Sequence, residues 1–264
     1  EAYTLVFASL LLLFGSLAML ACVPVLAGGF GVADLLRVQT VSDPAFSPDG
    51  RMLVYSVSAA DTALDEETSD LWTVPLNGGK PTRITQTKHS EWQPVFGPDG
   101  RTLFFLSDAD KKGSTQVWRM PIGGKAEAVT RFSEDVEDFA LSPDGTALAV
   151  IVRDAQFKPG TAKPINPPPL VTTRFQFKED ITGYLDDRRL HLHLIEVTDG
   201  SSVVLTRGPY DHYLPAFSPD GRRLVTGGND NRIRVYRLAT PVTEGSTELV
   251  DTVFAHEGAI LKLA

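Results

Sequence analysis

Two histidines stand two apart in Leu190-His191-Leu192-His193-Leu194, the alternation of a strand, so both imidazoles share one face. Two such nitrogens would make half of a tetrahedral metal site. No third ligand lies nearby, and the pair is expected to pack or to face solvent. Asp65-Glu66-Glu67 concentrates three carboxylates and is expected to form a solvated acidic loop in the first repeat. Trp72 and Trp118 fall at equivalent points of two repeats, where stacking on a ligand competes with core packing, and packing is expected. Trp92 has no comparable context. Arg174, Lys178, Arg188 and Arg189 give a proline-rich insertion a basic tint that would suit a carboxylate. None of these groups amounts to a catalytic, cofactor-binding or metal-binding set, so no such residue is assigned and no cofactor is expected.

Composition narrows the field further. The chain has 264 residues, 42% hydrophobic and 22% charged, with a formal net charge of −8. That is ordinary globular composition. An acidic balance disfavours nucleic acid, which selects a basic face.

Charge is also unevenly distributed. After Glu1 the next charged residue is Asp34, and the first half of the intervening run is dense in Leu, Phe, Ala and Val. Residues 1–33 are expected to be an apolar helical export signal or membrane anchor. Val25-Leu26-Ala27 places small residues where a signal peptidase would cut before Gly28, and Met19-Leu20-Ala21-Cys22 is a looser lipoprotein-type pattern. An exported protein, periplasmic or extracellular and anchored only if the segment is retained, is the expectation. Cys22 is the single cysteine, so the remainder cannot use disulfides or thiolate metal sites and must be held by packing.

The elements come from a repeat. Asp43-Pro-Ala-Phe-Ser-Pro-Asp-Gly50, Gln93-Pro-Val-Phe-Gly-Pro-Asp-Gly100, Asp138-Phe-Ala-Leu-Ser-Pro-Asp-Gly145 and Leu214-Pro-Ala-Phe-Ser-Pro-Asp-Gly221 align, with their aspartates 50, 45 and 76 residues apart. Pro presets φ, Asp bonds back to the backbone and Gly takes the left-handed conformation that closes a turn. Strand-like runs follow at Met52 to Ser56, Leu103 to Ser107, Ala147 to Val152 and Arg223 to Thr226. A second turn recurs at Asn77-Gly78-Gly79, Gly123-Gly124 and Asp199-Gly200, preceded by a third strand and followed by a fourth ending in Thr85, Thr130 and Thr206. Four short antiparallel strands per repeat make an all-β propeller rather than a sandwich. The expected blades span about 41–86, 91–131, 136–207 with an insertion at 155–187, and 210–254, and 256–264 begins another. The ring of this 34–264 domain is expected to be incomplete. Pro159, Pro164 and Pro167-Pro168-Pro169 stiffen the insertion.

Longer stretches are more specific. Asp34 to Gly50 resembles the opening of the propeller in the prolyl oligopeptidase family, nearest its bacterial dipeptidyl-peptidase and acylaminoacyl-peptidase-like branch. Ser69-Asp-Leu-Trp-Thr-Val-Pro-Leu-Asn-Gly-Gly79 is similar to the third strand and turn of that family's first blade, and Phe175 to Leu192 resembles a further, more distinctive segment. The resemblance covers roughly residues 34–222. It implies a non-catalytic cap over an α/β-hydrolase domain, admitting short peptides. The family's triad needs a serine in a Gly-x-Ser-x-Gly elbow, and this sequence contains none. No family catalytic residue transfers to any position, so the chain alone is not expected to be an enzyme although its parent would be a serine peptidase. Paired glutamates bind a substrate amino terminus in some of these propellers, but Glu66 and Glu67 do not match in position or context.

The end of the chain departs from that family. Leu224-Val-Thr-Gly-Gly-Asn-Asp-Asn-Arg-Ile-Arg-Val-Tyr236 resembles a WD-repeat blade, with Asp230-Asn231 as its tight turn, and His256 to Ala264 resembles the start of the next unit. In WD repeats Thr226 and Asp230 would join a hydrogen-bond network, usually with a Trp that is Tyr236 here. This supports an alternative function: a non-enzymatic periplasmic scaffold, like Tol-system or WD-repeat propellers, binding a protein partner on a ring face. A join of two propeller types at the shared turn Ser218-Pro219-Asp220-Gly221 would leave no local trace.

Overall fold

In the computed structural model, the described residues are 31–62, 65–109, 113–156, 169, 178–179, 183–239 and 247–254. The chain divides into two units, Glu1–Val38 and Gln39–Ala264. Within the first, the described part is a single helical turn, α1 (Val32–Leu35), whose Asp34 carboxylate accepts a 2.9 Å bond from the Gly31 N–H. The rest of the apolar segment expected at 1–33 lies outside the described residues. Among the described residues, no helix is long and apolar enough to cross a membrane.

The second unit is built from four four-stranded antiparallel sheets, each in simple sequence order. Blade 1 is β1 (Gln39–Phe46), β2 (Met52–Asp61), β3 (Glu66–Pro75) and β4 (Thr82–Arg83). Blade 2 is β5 (Glu91–Phe96), β6 (Thr102–Ser107), β7 (Gln116–Pro121) and β8 (Glu127–Ala128). Blade 3 begins with β9 (Val136–Leu141) and β10 (Ala147–Arg153). The chain then leaves through an insertion holding the hairpin β11 (Lys178–Glu179) and β12 (Gly183–Tyr184). It returns for β13 (Leu190–Glu196) and β14 (Ser202–Val204). Blade 4 is β15 (His212–Phe217), β16 (Arg223–Gly228), β17 (Arg232–Arg237) and β18 (Glu248–Phe254).

The first hairpin of each blade is closed by the repeated Pro-Asp-Gly turn. In blade 1 the Ser47 hydroxyl donates to Asp49 at 2.6 Å and accepts from the Met52 N–H at 2.9 Å. The Gly50 N–H closes on the Ser47 carbonyl at 2.8 Å. Ser142–Asp144 and Ser218–Asp220 repeat the hydroxyl bond, each at 2.6 Å. Blade 2 has Gly97 in place of that serine, and the Thr102 hydroxyl supplies the bond to Asp99 at 2.7 Å instead. These donors hold all four aspartates below the usual carboxylate range.

The core lies between blades rather than within them. Val54 and Leu71 of blade 1 meet Phe96, Leu103, Phe105 and Met120 of blade 2. Phe104, Leu106 and Val117 on the other face of blade 2 meet Leu148, Val150 and Ile195 of blade 3. Ile151, Leu192 and Leu194 on the other face of blade 3 meet Leu224 and Tyr236 of blade 4. Side chains alternate across each strand, so an inner blade is apolar on both faces.

Two differences from the sequence expectation are local. β3 starts at Glu66, so Glu66 and Glu67 are exposed strand residues paired with Asp61 and Ala60 rather than loop residues. Only Asp65 stands in the turn, with a φ of 56°. Trp92, which had no assigned role, packs against the core between blades 2 and 3.

Candidate functional site

An up-and-down blade sorts its loops by topology. The Pro-Asp-Gly turns and the Gly-containing second turns share one end of the sheets. The connections between second and third strands, and those leading to the next blade, share the other. The insertion, the acidic strand start at Glu66 and most of the titratable residues belong to this second end.

A polar clamp recurs beneath that end. Thr85 accepts from the Leu71 N–H at 2.8 Å and donates to Asp70 at 3.4 Å. Thr130 accepts from the Val117 N–H at 2.9 Å and donates to Gln116 at 2.8 Å. Thr206 accepts from the Leu192 N–H at 2.8 Å and lies 3.4 Å from His191 Nδ1. Each threonine is buried and ties the end of the fourth strand to the third. Thr130→Val keeps the shape but leaves the Val117 donor without this acceptor. We expect a loss of about 1–3 kcal/mol in urea unfolding, with the native sheet content retained in far-UV circular dichroism.

His191 therefore serves the clamp, at the place that Asp70 and Gln116 take in blades 1 and 2. Its Nε2 lies 3.6 Å from Asp154, and its ring centroid is 5.9 Å from that of His212 in blade 4. His193 shares its face, as expected, and stands edge-on to Phe132 with centroids 5.1 Å apart. Burial pushes both His193 and His212 down to about 4, so these are neutral packing imidazoles at neutral pH. Among the described residues no group of three or more His, Cys, Asp or Glu side chains could hold a metal ion.

The basic residues of the insertion are spoken for within the chain. Arg188 bonds Asp186 at 2.6 Å and Glu134 at 3.0 Å, and Arg189 lies 3.8 Å from Asp211. The returning end of the insertion is thus fastened to the connections on either side of blade 3. Lys178 stands over the Tyr184 ring at 5.9 Å. Arg174 and the proline run up to Pro168 lie outside the described residues.

The group that sequence reasoning missed is Glu91, at the start of β5. Its side chain is only 2% exposed with the whole residue. One oxygen accepts from the Thr87 hydroxyl at 2.7 Å and the other has no hydrogen-bond partner. Burial, with Asp70 and Asp108 adding repulsion, pushes its carboxyl up to about 7. Nothing in Ser90-Glu91-Trp92 advertises this, because the burial comes from two blades meeting.

A second feature circles the innermost strands. Asp43, Gln93 and Leu214 have positive φ values of 51°, 51° and 54°, at bulges that shift the register of β1, β5 and β15. They are the first residues of their aligned octapeptides, and Asp138 is the fourth. Asp43 accepts from the Gln93 N–H at 3.2 Å, Gln93 donates to Asp138 at 2.7 Å, and Asp138 accepts from the Leu214 N–H. Each blade thereby holds the next by a side chain. Leu214 ends the series, having no acceptor to offer onward.

The turn end offers one groove of about 310 Å3 between blades 2 and 3, lined by Pro98, Asp99, Phe104, Arg119, Asp144 and Val197 among others. Its carboxylates are bound by their own turns, and Arg119 is bound to Glu127 at 2.7 Å. It presents a mixed surface with its charges already paired.

Comparison with known proteins agrees with this architecture. The model of the TolB β-propeller domain matches residues 37–163, and that of the WD domain, G-β repeat, matches residues 216–237. An uncharacterized peptidase of Bacillus subtilis, YuxL, is 29% identical over 200 residues, covering 74% of this chain and 30% of that protein. Dipeptidyl-peptidase 5 of Porphyromonas gingivalis is 37% identical over 82 residues, 31% of this chain and 12% of that protein. The chain thus spans less than a third of the length of these curated relatives. An acylaminoacyl peptidase from Pyrococcus horikoshii shares the fold over 82% of this chain and 33% of its own, with a TM-score of 0.58 at 12% identity. The chain therefore carries a TolB-like β-propeller related to those of the dipeptidyl- and acylaminoacyl-peptidase group, and its last blade is of the WD-repeat kind.

Proposed function

We propose that this chain is the non-catalytic, substrate-gating propeller portion of an exported serine peptidase of the prolyl oligopeptidase type. The observation that carries the reading is its relation to a bacterial peptidase over 74% of its length, through blades that hold no nucleophile elbow. Its partners would be an α/β-hydrolase domain and the short peptides admitted to it. The uncharged run from Ala2 to Ala33 supports export. An active-site-directed fluorophosphonate should label none of the purified 264-residue protein, while labelling a product extended through a downstream Gly-x-Ser-x-Gly. Specific labelling of the 264-residue protein itself would end this reading.

The WD-type match at residues 216–237 favours a second reading, a non-enzymatic scaffold that binds a protein on a ring face. The downstream reading frame separates the two. A serine elbow followed by Asp and His supports the peptidase, and further His-Glu-Gly units support the scaffold.

A further inference from the structure

Each blade has one face toward the blade before it and one toward the blade after it. The backbone bonds that close each hairpin put the repeats in common register. Leu76, Ile122, Val197 and Leu238 donate to the carbonyls of Arg51, Arg101, Thr146 and Arg222. In that register the preceding-side face carries Leu103, Leu148 and Leu224 in blades 2 to 4, and all three are fully buried. Blade 1 has Leu53 at this place, half-buried. Around it stand Phe46, Tyr55, Trp72 and Val74, which pair across β1, β2 and β3 on the same face. Phe96 is 8% exposed where its counterpart Phe46 is 66% exposed. This face has the composition of a buried seam, and among the described residues nothing packs on it as blades 1 to 3 pack on their successors.

The turns record the same seam independently. A Cβ placed on Gly100 would meet Pro48 at 3.6 Å, on Gly145 it would meet Pro98 at 2.8 Å, and on Gly221 it would meet Pro143 at 3.7 Å. Each blade's turn proline therefore seats against the next blade's turn glycine. Gly50 has no described neighbour within 4 Å of that position.

Blade 4 offers the matching half. Its following-side face carries Val225, Ile233 and Val235, all half-buried, with Val253 46% exposed beside Ile233. Pro219 is its turn proline. We propose that two copies of this chain associate head to tail, the open face of blade 4 in one copy seated on the open face of blade 1 in the other. Two identical seams related by a twofold axis close the pair, whereas a seam that failed to close would grow an open polymer. In each seam Pro219 of one copy lies against Gly50 of the other. Leu214 gives the seam no counterpart of the Asp43–Gln93 bond, so it rests on apolar contact and dissociates on dilution.

The test is the mass in solution by sedimentation velocity across a hundredfold range of concentration. The expected result is a discrete dimer that dissociates on dilution. A monomer throughout, or a ladder of open polymers, would overturn the proposal. Phe46→Glu and Val253→Glu alter exposed positions and should each give a folded monomer by far-UV circular dichroism. Mixed together, they retain one unaltered pair of faces and should recover a dimer. Failure of the mixture to associate, with both variants folded, would overturn the head-to-tail seam. So would a wild-type dimer whose mass neither variant changes.

Discussion

Glu91→Gln should stabilise the protein at pH 8 and leave its stability unchanged at pH 4. The carboxyl is held at about 7 in the folded state, against a model value of 4.5. Below 4.5 it is protonated in both states, and glutamine is a fair copy of the protonated acid. Between 4.5 and 7 the folded state binds more protons than the unfolded one, so stability falls as pH rises. Above 7 both states are ionised and the loss is complete. A shift of this size corresponds to a ceiling of about 3 kcal/mol. Arg83 is bonded to Asp70, and His89 lies 3.5 Å from Asp108, so the nearby cations are already engaged by other carboxylates. The expected reading is a gain of roughly 2–3 kcal/mol at pH 8 in urea unfolding, shrinking to nothing by pH 4. An equal gain at both pH values would mean that packing, not ionisation, sets the difference.

The histidines oppose this slope, which is why the variant must be compared with wild type at each pH. His193 and His212 are pushed to about 4 by burial, below the model value of 6.5. The unfolded state takes up their protons first, so the stability they allow is complete above 6.5 and is lost as pH falls toward 4. Wild-type stability between pH 4.5 and 6.5 is the sum of opposing trends, and the difference curve isolates Glu91.

What could be read from the sequence was what neighbours in sequence decide. The Ser-Pro-Asp-Gly turns are closed by contacts within six residues, and they appear in the structure with the expected left-handed glycines at Gly50, Gly100, Gly145 and Gly221. His191 and His193 were legible as sharing a face, since strand alternation fixes that. Their surroundings were not, because Phe132 comes from the connection after blade 2 and His212 from blade 4. The threonines ending each fourth strand were visible as a repeat, but their clamp joins residues 14 or 15 apart across a sheet. The aligned octapeptides began at Asp43, Gln93, Asp138 and Leu214 for reasons of alignment alone. That these residues link one blade to the next depends on bulges whose positive φ no proline-flanked strand pattern discloses. The basic insertion suggested an outside carboxylate, and the chain supplies Glu134 and Asp211 itself.

Gly145→Ala should cost far more than Gly50→Ala, although both sit at the same place in the same turn. Their φ values are 75° and 66°, so the left-handed penalty on an added Cβ is shared, at about 1 kcal/mol each. The surroundings differ. At Gly145 the new methyl would stand 2.8 Å and 2.9 Å from Pro98 Cδ and Cγ, whereas at Gly50 no described atom lies within 4 Å. The Pro98 ring cannot rotate away, because it is fused to the backbone of its own turn. Relief requires blades 2 and 3 to move apart, which loosens the seam where Phe104, Leu106 and Val117 meet Leu148, Val150 and Ile195. We expect roughly 3 kcal/mol for Gly145→Ala against about 1 for Gly50→Ala, read by urea unfolding at a concentration low enough to keep the protein monomeric. At high concentration the gap should narrow, because a seated Pro219 would then crowd position 50 as well, and Gly50→Ala should weaken the dimer. Equal costs for the two variants in dilute solution would show that the turn glycines serve only their own hairpins and that the proline-on-glycine contact carries no part of the seam.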